Sequence, residues 1–176
     1  MEESRKFFNK YGENAITFNC TQKKDSSYYN LICQWETFGT NASIVKTGII
    51  KDLKFKREYE FGFGEDADFG MQIRKNGCDI LYTPNINLLH LKAPSGGFRI
   101  KHQFLWSKEN IKPKPSPTLM YYYLNNLTKQ QFLGLKTYIF IKNFKNINGL
   151  NFITYYKSFN QKWNRSIYWA KQLTNG

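Results

Sequence analysis

Three carboxylates crowd one short stretch of this chain, Glu65, Asp66 and Asp68, directly after the glycine-punctuated run Phe61-Gly-Phe-Gly64. Phe69 and Ile73 then fall on one helical face, Arg74 and Lys75 occupy the last turn, and Gly77 follows as a stop signal, so a short helix is expected from Glu65. At a helix N-terminus the free N–H groups and the dipole stabilise ionised carboxylates. A carboxylate held ionised is what a general base needs in order to take a proton from a sugar or alcohol hydroxyl. Successive helical residues point about 100° apart, so Glu65 and Asp66 cannot share one job. One would hold a hydroxyl while the other removes its proton. Gly62 and Gly64 would let the backbone approach a polar ligand closely. Two blander readings stand beside this one: acids are common in the first turn of any surface helix, and Asp66-Ala-Asp68 also fits a loose Asp-x-Asp metal pattern.

The elements that must position these groups are less sharply written. Residues 1–36 are weakly patterned, with Leu31-Ile-Cys-Gln-Trp35 reading as a short strand. Val45, Ile49 and Leu53 suggest a short helix near Lys46–Leu53. Cys78–Tyr82 reads as a buried strand ended by Pro84, and Ile86–Leu91 as a second strand. Loop, helix and strands in this order indicate an α/β domain. Ala93–Phe98 reads as a flexible connection, and Lys112-Pro-Lys-Pro-Ser-Pro117 as an extended proline-rich linker. Beyond it the pattern is helical. Thr128 and Gln131 are spaced for a capping box, and Phe152, Tyr155, Tyr156, Phe159, Trp163, Ile167 and Tyr168 form an aromatic stripe interleaved with lysines and Arg165.

The ordered set Gly64-Glu-Asp-Ala-Asp-Phe-Gly-Met-Gln-Ile-Arg74, Gly77, Tyr82-Thr-Pro84 and His90, with Phe38-Gly-Thr-Asn-Ala-Ser-Ile44 upstream, resembles the C-terminal, acceptor-side half of family 2 glycosyltransferases. The resemblance covers roughly residues 35–100. It implies a partial GT-A-like α/β domain over 1–100; the proline-rich linker over 101–118 and the basic, aromatic helical tail over 119–176 are read from their own composition. It further implies inverting transfer from a nucleotide-sugar donor to a carbohydrate or lipid-linked acceptor, in the manner of cell-surface polysaccharide synthesis. Asp66 would be the catalytic base. Gly64, Glu65, Asp68 and Arg74 would serve the acceptor side, while His90 and Arg99 would meet the donor phosphates. His90 is also the implied ligand of a divalent metal, Mn or Mg. The family's donor-binding unit, which ends in its own Asp-x-Asp motif, has no room before residue 35. The chain therefore reads as truncated and is expected to show little or no transfer by itself.

Charge and composition set the outer bounds. Of 176 residues, 41% are hydrophobic and 18% aromatic, enough to bury a core. The net charge is +13, and it is uneven: residues 1–100 carry 14 Lys+Arg and 12 Asp+Glu, whereas residues 101–176 carry 12 Lys+Arg and one acid, Glu109. Such a basic appendage fits an anionic partner. The aromatic stripe would lie on an anionic membrane surface, stack on single-stranded nucleic acid, or simply pack on the rest of the chain. No helix-turn-helix, RNP or zinc-finger signature supports nucleic acid. Three scattered cysteines, Cys20, Cys33 and Cys78, argue against a disulfide scaffold, and no apolar stretch is long enough to span a bilayer. With no apolar leader after Met1, a cytoplasmic protein, peripheral at the inner membrane face, is the expectation.

Overall fold

A computed structural model describes residues 2–11, 14–23, 27, 29–91, 102–144 and 151–175. The contacts gather these residues into two compact units, one from the described parts of Met1–Phe55 and Glu65–Ile100, the other from Lys56–Gly64 and Lys101–Gly176.

The first unit is mixed α/β. Helix α1 (Glu2–Tyr11) precedes β1 (Ala15–Thr21), and the short strands β2 (Cys33–Gln34) and β3 (Ser43–Ile44), the one-turn α2 (Thr47–Ile50), α3 (Glu65–Lys75) and β4 (Ile80–Leu89) follow. The sheet order is β2-β4-β1-β3. Its centre is a parallel pair, β1 with β4, and antiparallel β2 and β3 form the edges. A parallel centre with antiparallel edges must bury β1 on both faces. Residues 15–19 are indeed all buried, including the polar Thr17 and Asn19. These polar groups are satisfied inside: Thr17 Oγ1 meets Ser43 Oγ at 2.8 Å, and the Tyr82 hydroxyl donates to Asn19 Oδ1 at 3.0 Å.

Pro84 does not end a strand. It lies within a single β4, where the register of pairing with β1 jumps from Phe18↔Thr83 to Asn19↔Asn87. Three residues of β4 are thus carried past the ladder without a partner on β1, and proline, lacking an N–H, is tolerated at such an irregularity. The core gathers Ala15, Phe38, Phe69, Ile73, Cys78 and Ile80, with Trp35, Val45, Ile49, Ile50 and Leu53 packed against it.

Helix α3 forms where the sequence places it. It is fixed against the 35–38 segment at three points: Phe38 N–H donates to the Asp66 carbonyl at 3.1 Å, and one Arg74 nitrogen donates to the carbonyls of Trp35 (3.1 Å) and Glu36 (2.6 Å). Gly70 makes this approach feasible, since a Cβ there would stand 2.7 Å from the Glu36 carbonyl oxygen and 3.0 Å from Phe38 N.

The second unit is built from α4 (Pro117–Asn126), α5 (Lys129–Phe144) and α6 (Phe152–Gln172). Ser116 caps α4, accepting from Leu119 N–H at 3.3 Å, with Pro117 buried in the first turn. The capping box at α5 forms as spaced: Thr128 N–H donates to Gln131 Oε1 at 2.9 Å and Gln131 N–H to Thr128 Oγ1 at 3.2 Å. The aromatic stripe of α6 divides. Tyr155, Phe159 and Trp163 are buried, with Phe140 and Phe132 of α5 at ring-centroid distances of 5.1 Å from Phe159 and 5.5 Å from Trp163, whereas Phe152, Tyr156 and Tyr168 stay about half exposed. The proline-rich run lies along α6: Lys114 N–H donates to the Lys162 carbonyl at 3.2 Å, and Ser166 Oγ donates to the Pro115 carbonyl at 2.6 Å. Glu109 accepts a two-pronged contact from Arg165, with Nε to Oε2 at 2.7 Å and Nη2 to Oε1.

Candidate functional site

The segment Phe38–Ile44 connects the acidic helix start to the end of the parallel pair. Its Thr40 hydroxyl lies 3.5 Å from Asp66 Oδ1, while Asn41 Nδ2 lies 3.3 Å from His90 Nδ1 and donates to Cys20 Sγ at 3.6 Å. A cavity of about 240 Å³ opens at this segment, lined by Thr37, Gly39 and Asn41 on one side and by Cys20, Tyr82 and His90 of the β1/β4 region on the other. It reaches the carboxyl ends of the parallel pair at Cys20 and His90 and also takes in Thr17, Phe18 and Tyr82 from earlier in the two strands.

Asp66 stands in the first turn of α3, half-buried. Burial pushes its carboxyl above the ordinary aspartate range, and the neighbouring charge of Glu65 adds to this; hydrogen bonds from the Thr40 backbone and hydroxyl pull the other way. Desolvation outweighs the hydrogen bonds, and the result is a stronger base than a surface aspartate. Among the described residues no basic side chain forms a salt bridge with Asp66, and Arg74 is directed at backbone carbonyls instead.

The remaining candidates fall in different places. Glu65 adjoins Asp66, partly exposed. Asp68, expected among the acceptor contacts, is 1% exposed and accepts from Gln72 Nε2 at 2.8 Å, while Gln72 also donates to the Lys54 carbonyl. Gly64 has φ +113°, a conformation that side chains rarely adopt. His90 follows β4, exposed, with its backbone N–H donating to the Thr21 carbonyl at 2.8 Å. Arg99 and the Ser95-Gly-Gly97 loop lie outside the described residues.

A divalent metal at His90 would need further donors. The Asn41 side chain lies beside its ring and Cys20 Sγ lies beside Asn41, whereas Mg and Mn favour clustered oxygen ligands. Among the described residues no three His, Cys, Asp or Glu side chains are gathered to hold a metal ion.

Sequence reasoning missed Thr40, Asn41 and Cys20 as neighbours of the candidate groups. Thr40 and Asn41 lay within a motif already singled out, but only the fold turns one toward Asp66 and the other toward His90. Comparison of the chain with protein-family models, with curated proteins and with solved structures found no match to any of them.

Proposed function

We propose that this chain carries the acceptor side of an inverting glycosyl transfer, with Asp66 as the base. The observation that supports the reading is the state of Asp66: half-buried, oriented by Thr40, and raised in basicity by burial and by Glu65. In this reading an acceptor hydroxyl lies against Asp66. As the hydroxyl oxygen forms its bond to the anomeric carbon, its proton passes to the Asp66 carboxylate. The bond from that carbon to the nucleotide diphosphate breaks on the opposite face, and the diphosphate leaves with the electron pair, so the configuration inverts. A base whose affinity for protons lies nearer the working pH transfers protons more efficiently than an ordinary surface carboxylate. Glu65 orients the acceptor. Asp68, turned inward onto Gln72, keeps the first turn of α3 in place, and Arg74 secures the other end through the Trp35 and Glu36 carbonyls. His90 and Arg99 are proposed on the donor side.

The test is transfer from a panel of nucleotide-sugars to glycan and lipid-linked acceptors, run with the chain alone and with a donor-binding GT-A half supplied as a second polypeptide. The chain alone is expected to give little or no product, because in-line positioning of the donor supplies much of the rate. In the supplemented reaction Asp66→Asn should lower turnover by about 10²–10⁴-fold, the usual share of general base catalysis. Supplemented turnover that survives Asp66→Asn undiminished contradicts the assignment.

A second reading rests on a separate observation: residues 101–176 hold 12 Lys+Arg against one acid, which Arg165 already occupies. It makes the chain a non-catalytic basic module, peripheral on an anionic membrane surface or on nucleic acid. No described helix is long and apolar enough to cross a membrane. Flotation with anionic vesicles that weakens steeply with salt, together with Asp66→Asn that changes nothing, would favour this reading.

A further inference from the structure

A cavity of about 530 Å³ lies in the second unit between α5, α6 and the proline-rich run, and neither the sugar-transfer reading nor the acidic helix accounts for it. Its volume falls within the range of sites that enclose small ligands. Ile139 contributes an apolar side chain from α5, Phe159 from α6 and Pro115 from the proline-rich run, while Asn143 and Thr154 add polar ones. Tyr155 adds a ring but no free hydroxyl, because its O–H already donates to the Phe140 carbonyl at 2.8 Å.

Two lysines share this lining, Lys114 and Lys162, brought together by the backbone hydrogen bond between them. Neither takes part in a salt bridge among the described residues, and the single acid of residues 101–176 is held by Arg165. Lys114 is exposed and Lys162 partly buried, so two cationic side chains without an acidic partner stand at the rim of a partly apolar cavity, where an anionic head group would pair with both. Ser158 offers a hydroxyl in the same lining.

We propose that the cavity between α5 and α6 is a binding site for one amphipathic anion, a molecule with a phosphate or carboxylate head for Lys114 and Lys162 and an apolar body for Ile139, Phe159 and Pro115. The proposal does not depend on glycosyl transfer. It is tested by calorimetric titration of the full chain with dodecyl phosphate below its micelle concentration, with dodecanol and inorganic phosphate as partial ligands. The expected result is 1:1 binding of dodecyl phosphate, with each partial ligand at least about tenfold weaker, since charged hydrogen bonds and apolar burial each contribute at that scale. Lys114→Gln combined with Lys162→Gln should weaken binding by about tenfold or more, and Ser158→Trp, which fills the cavity, should abolish it. Circular dichroism checks that both variants keep their helices; if Ser158→Trp unfolds, the lysine pair alone decides. Dodecanol binding as tightly as the phosphate, or a double glutamine variant binding as well as the parent, overturns the proposal. So does a chain that adheres to anionic vesicles yet ignores monomeric dodecyl phosphate.

Discussion

The two units differ in what dominates their interiors. The sheet unit takes polar side chains inside and pairs them: Thr17 with Ser43, Asn19 with Tyr82, Asp68 with Gln72. Buried polar pairs are costly unless complete, and completing them fixes one geometry. Against that fixed background Asp66 stands out as the carboxylate whose burial is only partly compensated. The helical unit places the rings of Tyr155, Phe159 and Trp163 inside, and its residues 101–176 carry 12 Lys+Arg against one acid. Ring packing stabilises by buried area and tolerates a wide range of surfaces. Chemistry that needs a positioned proton acceptor is therefore expected in the first unit, and recognition of an anion in the second.

The comparison can be broken most forcefully at Trp163, which is 1% exposed and flanked by Phe132 and Phe159. Trp163→Ala should cost about 3–5 kcal/mol in denaturant unfolding. Native-state hydrogen exchange should show the loss of protection in α4–α6, with β1 and β4 less affected. Loss spread equally over the sheet would mean that the contrast between the units is false.

Gly70→Ala probes the other side. A Cβ 2.7 Å from the Glu36 carbonyl forces α3 away from the segment that carries Thr40, at a cost of roughly 1–3 kcal/mol. Stability should fall together with the raised titration of Asp66. An unchanged midpoint would show that α3 is not held as described.

The two shifted carboxylates should also respond to pH in opposite senses. Arg165 holds Glu109 below the ordinary carboxylate range, against the effect of burial. Its contribution to stability is present above that range and is lost as pH falls through the lowered value. Glu109→Gln should therefore be less stable than the parent at neutral pH, with the difference vanishing in acid. Asp66 is raised, so the folded state holds its proton more tightly than the unfolded chain does. The associated stability is present below the ordinary range and is lost as pH rises through the raised value. Asp66→Asn should then be as stable as the parent or more so at neutral pH, and should lose that advantage in acid. Parallel thermal melts against pH distinguish these behaviours.

Smaller still are the neighbours of Asp66. Glu65→Gln removes a like charge and should lower the Asp66 titration, whereas Thr40→Val removes a hydroxyl that favours the ionised form and should raise it. Movement in the same direction for both would contradict the stated causes.

How much of this was legible beforehand depended on where local signals and tertiary demands agreed. Helix α3 announced itself through Gly64, its acids and Gly77, and the Thr128–Gln131 box through its spacing, because caps are local chemistry. Strand β1 escaped because its polar residues, Thr17 and Asn19, are buried with partners far along the chain, so neither alternation nor an apolar run marked it. Pro84 misled for a related reason, since a proline reads as a strand end unless the partner strand tolerates a jump in register. The site was legible in its acids and not in its neighbours. Thr40 and Asn41 became meaningful only once the fold turned them toward Asp66 and His90.

The central claim concerns Asp66, and carbon-13 NMR of its side-chain carboxyl, titrated with and without glycan acceptors, tests it most directly. The expected result is a midpoint above that of ordinary aspartates and a resonance that shifts on saturable acceptor binding. A midpoint at or below the ordinary range, with a resonance indifferent to every acceptor tried, would contradict it.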